Sequence, residues 1–82
     1  MSTTCIIKMA DGGTMTLYYI TDFFHLTYDN KENIYHIRTV TRNKYQHIKI
    51  KTQIVSVICS NKNNIDIELK FNSTSNVDVK IF

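Results

Sequence analysis

Apolar and polar residues alternate with period two along most of this chain, and the alternation breaks at polar clusters, which is the signature of strands joined by turns. Cys5, Ile7 and Met9 form one face of a first strand. Ala10-Asp11-Gly12-Gly13 ends it, with an Asp-Gly pair suited to the positive φ of a tight hairpin. Met15, Leu17 and Tyr19 line the next strand. Thr21-Asp22 interrupts the pattern before Phe24, Leu26 and Tyr28 alternate against Phe23, His25 and Thr27. The interruption fits a bulge or bend in one long strand, or a break with one short helical turn.

Asp29 to Asn33 reads as a polar loop, and Ile34–Val40 and Tyr45–Thr52 as a second hairpin about Thr41-Arg42-Asn43-Lys44. Gln53–Cys59 is apolar on both faces, as expected of a central, doubly covered strand. Ile65–Phe71 and Val77–Phe82 alternate on either side of Asn72–Asn76 and predict a third hairpin. The expected fold is all-β and a single domain over residues 1–82. It is a small antiparallel meander of about six or seven strands that closes into a barrel or compact sandwich. Side chains fill so small an interior, leaving no internal small-molecule site.

Composition supports strands over helices. Twelve Ile, ten Thr and five Val are β-branched, against one Ala and three Leu. A chain of 82 residues buries only roughly 60 to 65% of its unfolded surface, so the core must be thin. Eight Asn and eight Lys beside the isoleucines point to an A+T-rich coding sequence, as in many phages, viruses and low-GC bacteria, and the product of a phage, virus or mobile element is expected. The first residues resemble neither a signal peptide nor a membrane span, so the expected location is cytoplasmic, the host cytoplasm for a phage or viral product. Cys5 and Cys59 are accordingly expected as reduced, buried small hydrophobes.

Charge changes the picture most. From Glu32 to Asp66 no acidic residue intervenes, while Arg38, Arg42, Lys44, Lys49, Lys51 and Lys62 make the window +6 and leave −3 for the rest. Pairing Val40 with Tyr45 places Ile37 opposite Ile48 and Tyr35 opposite Ile50 on one side. The other side then carries Arg38 opposite His47, His36 opposite Lys49 and Ile34 opposite Lys51, with Tyr45 beside Arg42 and Lys44 at the tip. The candidate binding face is therefore His36, Arg38, Arg42, Lys44, Tyr45, His47, Lys49 and Lys51. Such a face suits phosphates, through counterion release and base stacking, and equally an acidic protein surface.

Other chemistry finds little footing. His25, His36 and His47 with the two cysteines are zinc-ligand types, but no Cys-x-x-Cys or His-x₃-His spacing preorganises them, and no metal or cofactor is expected. No phosphate loop, nucleophile elbow or metal-binding helix motif appears, so no catalytic residue is assigned. Asp66, Glu68 and Asp78 lie among Lys70 and Lys80 as cross-strand charge pairs, and Asn72-Ser73-Thr74 is a turn rather than a used glycosylation sequon. Tyr18, Ile20 and Phe23 are expected opposite the core positions of their strands, where they either close the fold or form an interface; Phe82 has the same two options. The expected function is a non-enzymatic binding module that sterically blocks or modulates a host protein or nucleoprotein complex through the basic hairpin. The alternatives are a small barrel binding single-stranded RNA or DNA and a structural subunit of a homo-oligomer.

Overall fold

The computed structural model describes residues 3–60, 66–70 and 78–81. Seven strands form one sheet: β1 (Thr3–Met9), β2 (Thr14–Asp29), β3 (Ile34–Thr41), β4 (Lys44–Ile50), β5 (Ile54–Ser60), β6 (Asp66–Lys70) and β7 (Asp78–Ile81). The path runs β4-β3-β2-β1-β5-β6, with β7 on β2, and every ladder is antiparallel. The all-β expectation holds, but the sheet is neither barrel nor sandwich. Among the described residues β4 and β6 each pair on one edge only, and no ladder joins them. Closure needs a continuous circuit of tilted, staggered strands. Here the chain leaves β4 for the free edge of β1, which also ends the meander.

Two further expectations change. β5 lies one strand in from the β6 edge, not at the centre. Among the described residues no third hairpin pairs: β6 pairs with β5, whereas β7 pairs with β2 over Phe24–Thr27, where β1 has ended. There Val79 packs against the core beside its ladder partner Leu26. The turn and sequon at 72–76, the turn at 61–64 and Phe82 lie outside the described residues, as do the side chains of Asp66, Glu68 and Lys70.

The long β2 is the hinge of the architecture. Its first part pairs with β1 and its last part with β3 on one edge and β7 on the other. Two bulges adapt it. Cys5 faces Leu17 and Thr3 faces Ile20, so β2 holds one extra residue at Tyr18-Tyr19. Tyr19 takes φ 60°, and the extra residue reverses the parity of the strand. Ile20, expected outside, is buried, while Tyr19, expected in the core, is 47% exposed. The second bulge, between Ile20 and Phe24, adds two residues relative to β3 and preserves parity. It settles Thr21-Asp22 as part of a bulged strand rather than a helical turn. The buried Thr39 hydroxyl donates to the Phe23 carbonyl there.

The core gathers Cys5 and Ile7 from β1, Ile20, Phe24 and Leu26 from β2, Tyr35 and Ile37 from β3, Ile50 from β4, and Ile54, Val57 and Cys59 from β5. Cys5 and Cys59 are direct ladder partners, with Cα atoms 4.2 Å apart, and they are joined in a disulfide. The expectation of two free thiols is thus overturned: opposed positions on one face of neighbouring strands bring their Sγ atoms together. The Tyr35 hydroxyl is buried without a fully formed hydrogen bond, though it lies near the Ile54 backbone. Burial pushes its pKa up, partly offset by that backbone.

Candidate anion-binding face

The β3–β4 hairpin turns on Arg42-Asn43, both left-handed at φ 50° and 65°, between the paired Thr41 and Lys44. This is a two-residue type I′ turn, whose twist matches the strands it joins. It locks the register expected from the alternation: Val40 faces Tyr45, Arg38 faces His47, Ile37 faces Ile48, His36 faces Lys49 and Tyr35 faces Ile50. The inner partners Tyr35, Ile37 and Ile50 are buried, so the outer set is held on the opposite face by the core itself.

Neighbouring strands extend this face. His25 is the β2 partner of Arg38, and Lys80 is the β7 partner of His25, giving a row Lys80–His25–Arg38–His47 across four strands. The next row is Asp78–Thr27–His36–Lys49. Its Asp78 Oδ1 lies 2.8 Å from His25 Nε2 and partly offsets the charge of that end. Arg38 Nη1 donates to Thr27 Oγ1 at 3.4 Å. Tyr45, 60% exposed, stands at the other end with its ring centroid 6.5 Å from that of Phe23.

His36 Nδ1 and His47 Nε2 are 2.8 Å apart, with ring centroids 5.1 Å apart. One nitrogen donates and the other accepts, so the contact needs at least one neutral ring. Desolvation, then Arg38, His36 and Lys49, hold the His47 pKa below its ordinary value. The cations around it therefore delay its protonation on acidification. No group of three metal-ligating side chains converges among the described residues.

Of the expected site residues, the sheet brings together His36, Arg38, Tyr45, His47 and Lys49. It separates three. Lys44 shares the inner parity of Gln46 and Ile48, so it lies on the face opposite Tyr45. Arg42 turns toward β2, its guanidinium carbon 4.3 Å from the Tyr19 ring centroid. Lys51 follows the end of β4, and the ladder stops at Tyr35–Ile50, so the pair Ile34–Lys51 is not formed. Sequence reasoning missed His25, Phe23 and Lys80 as neighbours. The alternation of Phe23, His25 and Thr27 carried the face assignment, but only the β2–β3 register shows which of them meets Arg38.

A second feature had no sequence signal. Thr16, Leu17, Tyr18, Tyr19, Thr41, Arg42, Gln46 and Ile48 line an open cleft of about 340 Å³ between β2 and the hairpin. No family model, curated protein or solved structure matches this chain, so both surfaces are read from their own geometry. No helix among the described residues is long and apolar enough to cross a membrane.

Proposed function

We propose that this chain is a non-enzymatic binding module that docks its four-strand outer face on an acidic macromolecular surface, a protein or nucleoprotein complex whose activity it blocks or modulates sterically. The observation that supports this is the row Lys80–His25–Arg38–His47 with Lys49 beside it, held in one register by the ladders of β2 with β7 and β3 and by the seven pairs of β3 with β4. Fields of one sign on a rigid surface speed encounter with an oppositely charged partner and fix its orientation. The composition extends the proposal to a phage, viral or mobile-element product acting on a host complex in the cytoplasm.

Tyr45 and Phe23 at the end of the cationic row favour a second reading, direct binding of single-stranded RNA or DNA with bases stacked on the exposed ring. Two measurements separate the readings. Affinity capture from host lysate after nuclease treatment should retain a stoichiometric partner, lost in Arg38→Glu/Lys49→Glu. Anisotropy with mixed-sequence RNA and DNA at two salt concentrations should show steep salt-dependent binding only under the second reading. Capture unchanged by the double reversal would mean that the face is merely solvated.

A further inference from the structure

On the outer face the hairpin register sets four side chains at the corners of one patch. Arg38 faces His47 and His36 faces Lys49, so the two cations lie on one diagonal and the two imidazoles on the other. Facing and diagonal neighbours on one side of a sheet fall within about 8 Å at Cβ, a span that arginine and lysine side chains cross easily. The charge gathers here rather than along the whole row. At the β7 end Asp78 engages His25, beside Lys80, and Asp29, the next outer residue of β2 after Thr27, accepts from Lys31 N and Glu32 N in the β2–β3 loop. Neither Arg38 nor Lys49 forms an ion pair among the described residues.

The donors are partly arranged in advance. Arg38 is half-buried, and its Nη1 rests on Thr27 Oγ1 at 3.4 Å, which leaves most of its N–H groups for an outside acceptor. The contact of His36 Nδ1 with His47 Nε2 at 2.8 Å uses one nitrogen of each ring. While both rings are neutral they hold two protons between them, one of them inside the contact. Only one of the two remaining nitrogens, His36 Nε2 and His47 Nδ1, then carries a proton. One proton taken up from solvent makes both of them donors and keeps the contact. A bound anion favours that uptake, against the desolvation and the repulsion of Arg38, His36 and Lys49 that hold His47 low.

A carboxylate matches only part of this patch. A single bidentate arginine satisfies its two oxygens, and its one charge leaves Lys49 and the histidine pair without a partner. A phosphate monoester brings three terminal oxygens and a charge of about −1.5 to −2, enough for Arg38, Lys49 and both ring N–H groups. A phosphodiester chain needs cations along its track, whereas this row is partly neutralised toward β7 by Asp78. We infer that Arg38, Lys49 and the His36–His47 pair form a site for a phosphate monoester on a side chain of the protein partner, bound with uptake of one proton by the pair. This rests on the protein-partner reading above and names the group that the outer face recognises.

The test is a ¹H–¹⁵N titration of the full chain with a phosphoserine peptide, its aspartate counterpart and a 5′-phosphorylated oligothymidylate. The phosphopeptide should give saturable shifts at His36, Arg38, His47 and Lys49, with affinity about tenfold or more above the other two probes. Lys49→Gln, at an exposed position, should weaken it about fivefold, and Arg38→Gln should weaken it further. Its affinity should rise as pH falls from about 8 and level off near about pH 6, where phosphate takes up a proton of its own; His47→Gln should flatten that rise. Equal affinity for the aspartate peptide would overturn the phosphate assignment while leaving the acidic-surface reading intact. Absence of shifts with either peptide, beside partner capture that still depends on Arg38 and Lys49, would likewise overturn the inference alone. Tighter binding of the oligonucleotide would overturn both, and a flat pH profile would overturn the role of the histidine pair.

Discussion

The β3–β4 hairpin and the first half of β2 are built from similarly alternating sequence, yet they present their side chains by different rules. In the hairpin a type I′ turn at Arg42-Asn43 fixes the pairing, and strict alternation then assigns every residue from Tyr35 to Ile50 to a face. In β2 one extra residue at Tyr18-Tyr19 reverses parity, so Tyr18 and Tyr19 are both exposed and Ile20 enters the core. Alternation reports a face only where the ladder has no insertion, and an insertion can place an exposed surface where the pattern indicates core.

The largest test of this contrast exchanges the two disputed residues. Ile20→Ala should cost about 2 to 5 kcal/mol in equilibrium denaturation, as expected for a buried isoleucine. Tyr19→Ala should cost within about 1 kcal/mol, since it removes an exposed ring while leaving the same φ for a smaller residue. Unbroken alternation predicts the reverse order. The disulfide is the next largest effect. Cys5→Ala/Cys59→Ala opens a link across a sequence separation of 54 residues, and chain-entropy arguments give a loss of about 4 kcal/mol at most, read as a lower denaturation midpoint. An unchanged midpoint would show that the bridge contributes no net stability over two alanines.

At the hairpin the sign reverses. Asn43→Gly relieves a left-handed residue at φ 65° and should stabilise by up to about 1 kcal/mol. Destabilisation would mean that the Asn side chain contributes more than its backbone costs.

The smallest effect is on pH dependence. His47 is held below the ordinary histidine range, so its neutral form is favoured in the folded chain. A lowered folded-state pKa gives stability that is present above the unfolded value and is lost as pH falls through the lowered one. Over the same fall the outer face gains charge. Partner affinity should therefore rise on acidification, with the His47 contribution appearing below pH about 6.5, and His47→Gln should remove that contribution.

How much was legible in the sequence follows from the same contrast. The hairpin register, its buried partners and five of the eight proposed face residues follow from alternation and turn chemistry. The order of strands does not, because β5 and β7 pair with β1 and β2, far away in sequence, and alternation is silent about which edge a strand joins. This is why the expected barrel and third hairpin gave way to a single open sheet. The cleft was invisible for a related reason: its walls come from a bulge and a turn, and both place Tyr19 and Arg42 in conformations that residue type alone does not announce.

Charge placement, not charge amount, is the central claim, and a matched pair of reversals tests it most directly. Arg38→Glu/Lys49→Glu and Lys8→Glu/Lys31→Glu have the same net charge, but the first lies on the outer hairpin face and the second on β1 and the β2–β3 loop. In nuclease-treated affinity capture, the account predicts loss of the partner with the first variant and retention with the second. Equal loss with both, or retention with both, would contradict a docking face defined by the hairpin register.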